Sequence, residues 1–328
     1  MTTNLRPVST AGDARRSAER LAGLTEPYLT LEQAAGKAGL DVEQVTAIWA
    51  SAGLPTPAPD EAALGDGDVE ILRGIAELQA CGLADPDIVL QLARATGRHL
   101  QRIADAQIDA ARHHAGADLT DHVRHTVPLL ERTLVHLWRR HLADAATRAL
   151  LHADADGEQC AIGFVDLVGY TARSQQLAEA DLAQLVDRFE HTATTTVARH
   201  AGTVVKTLGD EIMFVHRDPA GAGDTALSLV EGCERDPLLP VARGGIAWGR
   251  PLVLGGDYFG PPVNLASRIT KLALPGTVLA DPALAARLDA TADSPGINAK
   301  PLRPQPVRDV GDVALHVLRR TTSHPAAA

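Results

Sequence analysis

Residues 203–216 (Thr-Val-Val-Lys-Thr-Leu-Gly-Asp-Glu-Ile-Met-Phe-Val-His) constrain this 328-residue chain more than any other stretch. Two short apolar runs rich in β-branched residues flank a Gly-Asp turn, which is the pattern of a β-hairpin. The turn puts Asp210 at the tip, where a carboxylate can hold a cation. Lys206 lies four residues earlier, inside the first strand. The chain has 31 Lys+Arg but only four lysines, so a lysine inside an apolar strand is not compositional noise. Lysine is a compact point charge with three donors rather than a planar fork. The ordinary alternative is an edge-strand lysine beside a turn aspartate, and the hairpin alone favours it.

The residues before the hairpin divide at 151–159, a short acidic run that reads as a linker. Residues 1–150 carry no strand signal and read as an all-helical regulatory or dimerisation domain. Helices are expected over 14–24, 31–38, 42–52, 69–82, 87–100, 103–114 and 119–150, with Pro128 as a kink in the last. The pair 31–38 and 42–52, with Thr30 as cap and Gly39 at the turn, has the look of a helix-turn-helix. Its charge argues against DNA: between Tyr28 and Asp66 the only basic residue is Lys37, against six carboxylates. The net charge of −10 argues the same way for the whole chain. Eight of the thirteen histidines fall between His99 and His152. They read either as a pH-sensing segment or as chance placement on solvated helix faces.

Three scattered cysteines form no CxxC pair, which fits a reducing cytoplasm rather than a disulfide framework or zinc site. No apolar run is long enough to span a bilayer, so a soluble, cytoplasmic protein is expected. Residues 160–320 read as strand 160–166, helix 174–200, the hairpin, helix 221–233, strand 241–248, a short strand at 252–254 and helix 262–272. Shorter strand–helix units and a hairpin at 307–318 follow. This β-α-β-β-α-β order predicts an α+β, ferredoxin-like sandwich with helices on one face of an antiparallel sheet. Residues 321–328 read as a disordered tail.

Three stretches of this half carry chemistry. In Phe164-Val-Asp-Leu-Val-Gly-Tyr-Thr171 a strand ends on Asp166 and a glycine turn, Gly169 to Thr171, whose backbone N–H groups suit phosphate. In a sandwich of this order Asp166 and Asp210 lie on neighbouring strands. Two carboxylates so placed repel unless a cation sits between them, and hard oxygen ligands beside phosphate favour Mg²⁺ or Mn²⁺. In residues 256–268, a glycine-bracketed loop runs into a helix where Asn264 and Arg268, four apart, share a face.

Taken together, Asp166 in FxDxxGYT, Lys206 and Asp210 in KTxGD, and Asp257, Asn264 and Arg268 in DYFGxxVNxASR resemble the class III nucleotide cyclase catalytic domain. The motifs stand in the family's order over residues 160–318. Each is weak alone and specific in register. The resemblance implies a head-to-tail homodimer with two sites at the subunit interface. Asp166 and Asp210, with the Leu167 backbone carbonyl, would bind two Mg²⁺ or Mn²⁺ ions. Lys206 and Asp257 of the other chain would read the purine, while Asn264 and Arg268 stabilise the transition state. The implied reaction is attack of the ribose 3′-hydroxyl of ATP on its α-phosphorus, giving cyclic AMP and pyrophosphate.

Adenine offers an acceptor at N1 and a donor at its 6-amino group, which suits a lysine beside an aspartate. Guanine has the opposite polarity, and guanylate-making relatives carry an acidic residue at the lysine position. Arg243 matches the family's strand arginine near the triphosphate. Arg308 stands where many relatives carry a lysine for the terminal phosphates, and Asp309 replaces the family's glycine. The helical half also resembles the regulatory domains of soluble actinobacterial cyclases, some of them pH-responsive. The competing readings are a ligand-sensing transcription regulator, a silent nucleotide-binding scaffold and a diguanylate synthase. The acidic helix-turn-helix, the intact motif residues and the missing GG[D/E]EF run argue against each in turn.

Overall fold

A computed structural model of the protein describes residues 11–115, 119–151, 159–290 and 296–321. Most of the expected linker and tail, 152–158 and 322–328, lies outside the described residues, as does His152. The chain divides into two compact units, Met1–Ala153 and Asp154–Ala328.

The first unit contains six helices among its described residues: α1 (Ala11–Leu21), α2 (Leu31–Ala38), α3 (Val42–Ser51), α4 (Asp66–Ala80), α5 (Pro86–Ala115) and α6 (Leu119–Leu151). Thr30 caps α2 reciprocally with Gln33, and Gly39 ends it at φ 76°, a left-handed stop that favours glycine. The small core behind α2–α4 is aliphatic, built on Leu31, Ala35, Val45, Leu64, Val69 and Leu72. The two helices expected over 87–100 and 103–114 are one 30-residue helix, α5. Nothing between them breaks the backbone, and their apolar stripe simply continues. Pro128 lies inside α6. No helix among the described residues is long and apolar enough to cross a membrane.

The second unit is built on a seven-stranded sheet. Its elements run β1 (Cys160–Leu167), α7 (Tyr170–Ser174), α8 (Glu179–Arg199), β2 (Thr203–Thr207), β3 (Glu211–His216), α9 (Pro219–Arg235) and β4 (Ala242–Gly249). Then come β5 (Leu252–Leu254), β6 (Asp257–Phe259), α10 (Pro261–Leu272), β7 (Val278–Ala280) and α11 (Pro282–Ala290). β8 (Ile297–Pro301), β9 (Gln305–Val307), β10 (Gly311–Val313) and β11 (His316–Arg320) close the unit. The sheet order is β2-β3-β1-β4-β7-β11-β8, while β5–β6 and β9–β10 form separate two-stranded ribbons.

The fold is α+β, with four differences of detail from the sequence reading. β4 and β7 pair in parallel, and the helices lie on both faces rather than one. The helix expected over 174–200 begins only at Glu179, because the chain turns at 175–178 after the short α7. The expected hairpin over 307–318 is the ribbon β9–β10, and β11 returns to the main sheet between β7 and β8.

The central strand explains why both faces are covered. All eight residues of β1 are buried, as a strand packed on both sides requires. Ala161, Val165 and Leu167 face α8 and α9, where Phe189, Phe214 and Leu229 fill the main core. Ile162 and Phe164 face the other way, toward Met213, Ala247 and Ala266 of α10. The alternation carries straight through to Asp166, which therefore emerges on the α10 face. Gly245 of β4 lets α10 lie close: a Cβ there would sit 2.4 Å from the Thr270 backbone nitrogen.

Candidate active site

Three charged side chains share one rung of the sheet. Asp166 of β1 stands opposite Glu211 of β3 on one side and Arg243 of β4 on the other. In both pairs the alternation of buried neighbours places the side chains on the α10 face. Arg243 donates to Asp166 Oδ2 from Nε at 3.1 Å and Nη2 at 2.8 Å. Its remaining Nη1 donates to the Lys271 carbonyl, at the C-terminal end of α10, at 3.2 Å. The strand arginine expected near a triphosphate is thus held by the aspartate expected to bind metal.

Asp210 enters this rung from the turn between β2 and β3. Gly209 (φ 75°) makes the turn, Leu208 N–H donates to Glu211 O at 2.7 Å, and Leu167 N–H donates to the Asp210 carbonyl at 2.9 Å. Burial pushes the Asp210 carboxyl above the ordinary carboxylate range, and the Asp166 charge adds to the push. Burial also raises Glu211, with Asp166 and Asp210 adding to it against Lys271 and Arg243. Glu211 Oε1 is buried with no hydrogen-bond partner. The rung is therefore short of positive charge. Among the described residues no three carboxylate, histidine or cysteine side chains are grouped as a ready-made metal site. By their chemistry, these hard carboxylate oxygens, one of them an orphaned acceptor, are the groups that could hold a divalent cation. Sequence reasoning singled out Asp166, Asp210 and Arg243 but missed Glu211, whose place depends on the β1–β3 register.

A second cluster joins β2 to β6. Lys206 Nζ donates to both oxygens of Asp257, at 2.9 and 2.7 Å, across 51 residues of chain. A β-bulge makes this possible. Val204 pairs with Phe214 and Lys206 with Met213, so Val205 is an extra residue in the ladder. Val204 packs on the main core, while Val205 packs on the α10 face with Met213. Without the extra residue, strict alternation would leave Lys206 on the α8–α9 face.

The third cluster lines a cavity of about 500 Å³ bounded by Trp248, Gly249, Asn264, Leu265, Arg268, Asp309 and Val310. Asn264 and Arg268 both open onto it from α10. Arg268 Nη2 donates to Asp309 Oδ2 at 2.9 Å. Arg308, whose side chain is 90% exposed, has its Nε 3.7 Å from the same Asp309 oxygen. Asn264 is seven residues before Lys271 on one helix, about 10 Å along its axis. α10 thus carries the third cluster at its start and touches the Asp166 rung at its end. Gly169 (φ 75°) precedes α7 and Thr171 is exposed. α7 has only five residues, so any phosphate held there would depend on local N–H groups rather than on a long helix dipole.

No family model matches the chain. It is 37% identical over 296 residues to an adenylate cyclase of Streptomyces coelicolor, spanning 85% of this chain and 77% of that one. It is 29% identical over 320 residues to a protein of Mycobacterium tuberculosis named pH-sensitive adenylate cyclase, spanning 92% and 80%. Among solved structures, the adenylyl cyclase CyaB from P. aeruginosa is 18% identical and covers 52% of this chain and 97% of that chain, with a TM-score of 0.43.

Proposed function

The chain belongs to the class III adenylate cyclases and is an adenylate cyclase enzyme, and on that premise we propose how its three clusters divide the work. ATP is cyclised when its ribose 3′-oxygen attacks the α-phosphorus. The hydroxyl proton is lost and pyrophosphate leaves with the bonding electrons. Asp166, Asp210 and the Leu167 carbonyl are the groups that would hold two Mg²⁺ or Mn²⁺ ions. Such cations acidify the hydroxyl and neutralise the triphosphate. Glu211, beside Asp166, supplies further negative charge behind the ions. Arg243 is the counter-ion that a cation would replace at Asp166, which frees its guanidinium for phosphate. Gly169 and Thr171 would offer donors to the same phosphates.

The observation that carries the choice of ATP is the Lys206–Asp257 pair. A primary ammonium beside a carboxylate presents one donor and one acceptor, complementary to adenine N1 and the 6-amino group. Asn264 and Arg268, on one face of α10, would orient the ribose and take up charge developing on the α-phosphate, with Arg308 toward its end. A symmetric homodimer, each chain lending one half of each site, is the assembly this division of labour calls for.

The helical unit is proposed as the regulator. The relative named pH-sensitive supports a proton-linked signal. In this unit His99, His125, His136 and His141 are exposed and His122 is half-buried, so a second surface must cover most of them before their charge can drive a switch.

The test is cyclic nucleotide production by the full chain from Mn²⁺–ATP and Mn²⁺–GTP, with Lys206→Glu alongside. Cyclic AMP should dominate in the wild type, and Lys206→Glu should lower kcat/KM for ATP by about tenfold or more by leaving a buried polar partner unmatched. A wild type that makes no cyclic AMP sinks the proposal. An unchanged ATP-to-GTP preference in the variant would remove Lys206 from base reading.

A further inference from the structure

Asp309 is a carboxylate in a place that has two reasons to reject one. Its backbone is left-handed, φ 56°, at the turn that Val310 N–H closes on Val307 O. That conformation is unfavourable for any residue with a Cβ, though aspartate tolerates it better than most. Its side chain also lies on the wall of the cavity that, on the functional reading above, must admit a polyanion. A glycine would avoid both penalties. What the carboxylate gains is two guanidinium groups: Arg268 at 2.9 Å and Arg308 at 3.7 Å.

We propose that Asp309 is a specificity-determining residue that occupies Arg268 in the empty cavity and yields it only to a triphosphate or pyrophosphate group. The inference rests on the adenylate cyclase reading and deepens it. The ion pair is half open to water, with 32% of the Arg268 side chain and 64% of the Asp309 side chain exposed. It is therefore weak enough to be displaced. A group carrying several negative charges outcompetes a single carboxylate. A cyclic monophosphate, with one diffuse charge, does not. Asp309 thus weakens substrate binding modestly and recaptures Arg268 once pyrophosphate has gone. That return favours release of the cyclic product.

The variants are Asp309→Asn, which keeps shape and hydrogen bonding, and Asp309→Gly, which suits the backbone if the first folds poorly. In the full chain each should lower KM for Mn²⁺–ATP by about two- to fivefold, the range of an exposed ion pair. Product inhibition by cyclic AMP should become stronger. Calorimetric binding of α,β-methylene-ATP with Mn²⁺ provides the cycle. Asp309→Asn should tighten binding clearly more when Arg268 is present than in an Arg268→Ala background, where only the direct repulsion between carboxylate and polyanion is relieved. A KM that is unchanged or raised, or an equal gain without Arg268, overturns the proposal. An inactive wild type would instead overturn the functional reading itself, so the two failures are distinguishable.

Discussion

Asp281 and Asp210 are both carboxylates that burial raises against backbone hydrogen bonds. Asp281 Oδ1 accepts from Leu284 N–H at 2.9 Å and Trp248 N–H at 3.1 Å, capping α11 and tying it to β4. Burial still outweighs these bonds and lifts its pKa. The folded chain therefore keeps the Asp281 proton to higher pH than the unfolded chain. Stability from this group is full below the unfolded value, about 4, and is lost as pH rises through the folded one. Asp281→Asn keeps an oxygen for both donors and removes the titration. Its stability should gain on the wild type as pH rises from about 4, read by urea unfolding of both proteins from pH 4 to 7. A constant gap would show that Asp281 does not titrate differently in the two states. At this scale the sequence was readable where rarity marked a residue: one lysine of four in an apolar strand, an aspartate ending another. It was silent on Glu211, because a carboxylate after Gly-Asp looks like any turn residue until the register sets it opposite Asp166.

Elements place these residues, and their placing depends on what glycine permits. Gly163 leaves room for the Phe214 ring, 2.2 Å from where a Cβ would stand. Gly245 does the same for α10. Gly245→Ala would meet Thr270 backbone rather than a flexible side chain. α10 must then lift, at about 1–3 kcal/mol or more in stability, and carry Asn264 and Arg268 with it. Cyclase activity should fall at temperatures where circular dichroism still shows a folded chain. Retained full activity would mean that the helix position is not critical. The order of strands and helices was legible from periodicity and turn residues. The bulge at Val205 was not: Val204 to Lys206 read as part of one short apolar run, and only the partner strand reveals the extra residue. The parallel β4–β7 pair was hidden in the same way, since pairing across a helix leaves no local mark.

At the scale of the molecule, the proposed assembly makes a sharp prediction. Asp166→Ala should destroy the metal half of each site and Asn264→Ala the other half. Co-expressed, the two inactive chains should recover about a quarter of wild-type activity, since half the dimers are mixed and each mixed dimer keeps one intact site. A mixture as inactive as its parents would mean that each chain builds its whole site alone. The division into a helical unit and a sheet-based unit was legible from the change in pattern near residue 150. With 51 and 41 residues between partners, the pair Lys206–Asp257 was legible only through the family resemblance, and Arg268–Asp309 was not legible at all.

Those two pairs have one further trait in common. In each, the cation belongs to the main sheet or to the helix packed on it, while the carboxylate rides on a two-stranded ribbon, β5–β6 or β9–β10. A ribbon of two strands holds its shape poorly by itself, so each is moored to the body partly by a single charge. On the proposed division of labour, nucleotide would compete for those very moorings. Filling the site would slacken its rim while the floor, on buried β1, stays stiff. The amide protons of the ribbons would then exchange with solvent faster in the loaded protein than in the empty one, the reverse of ordinary protection by a ligand.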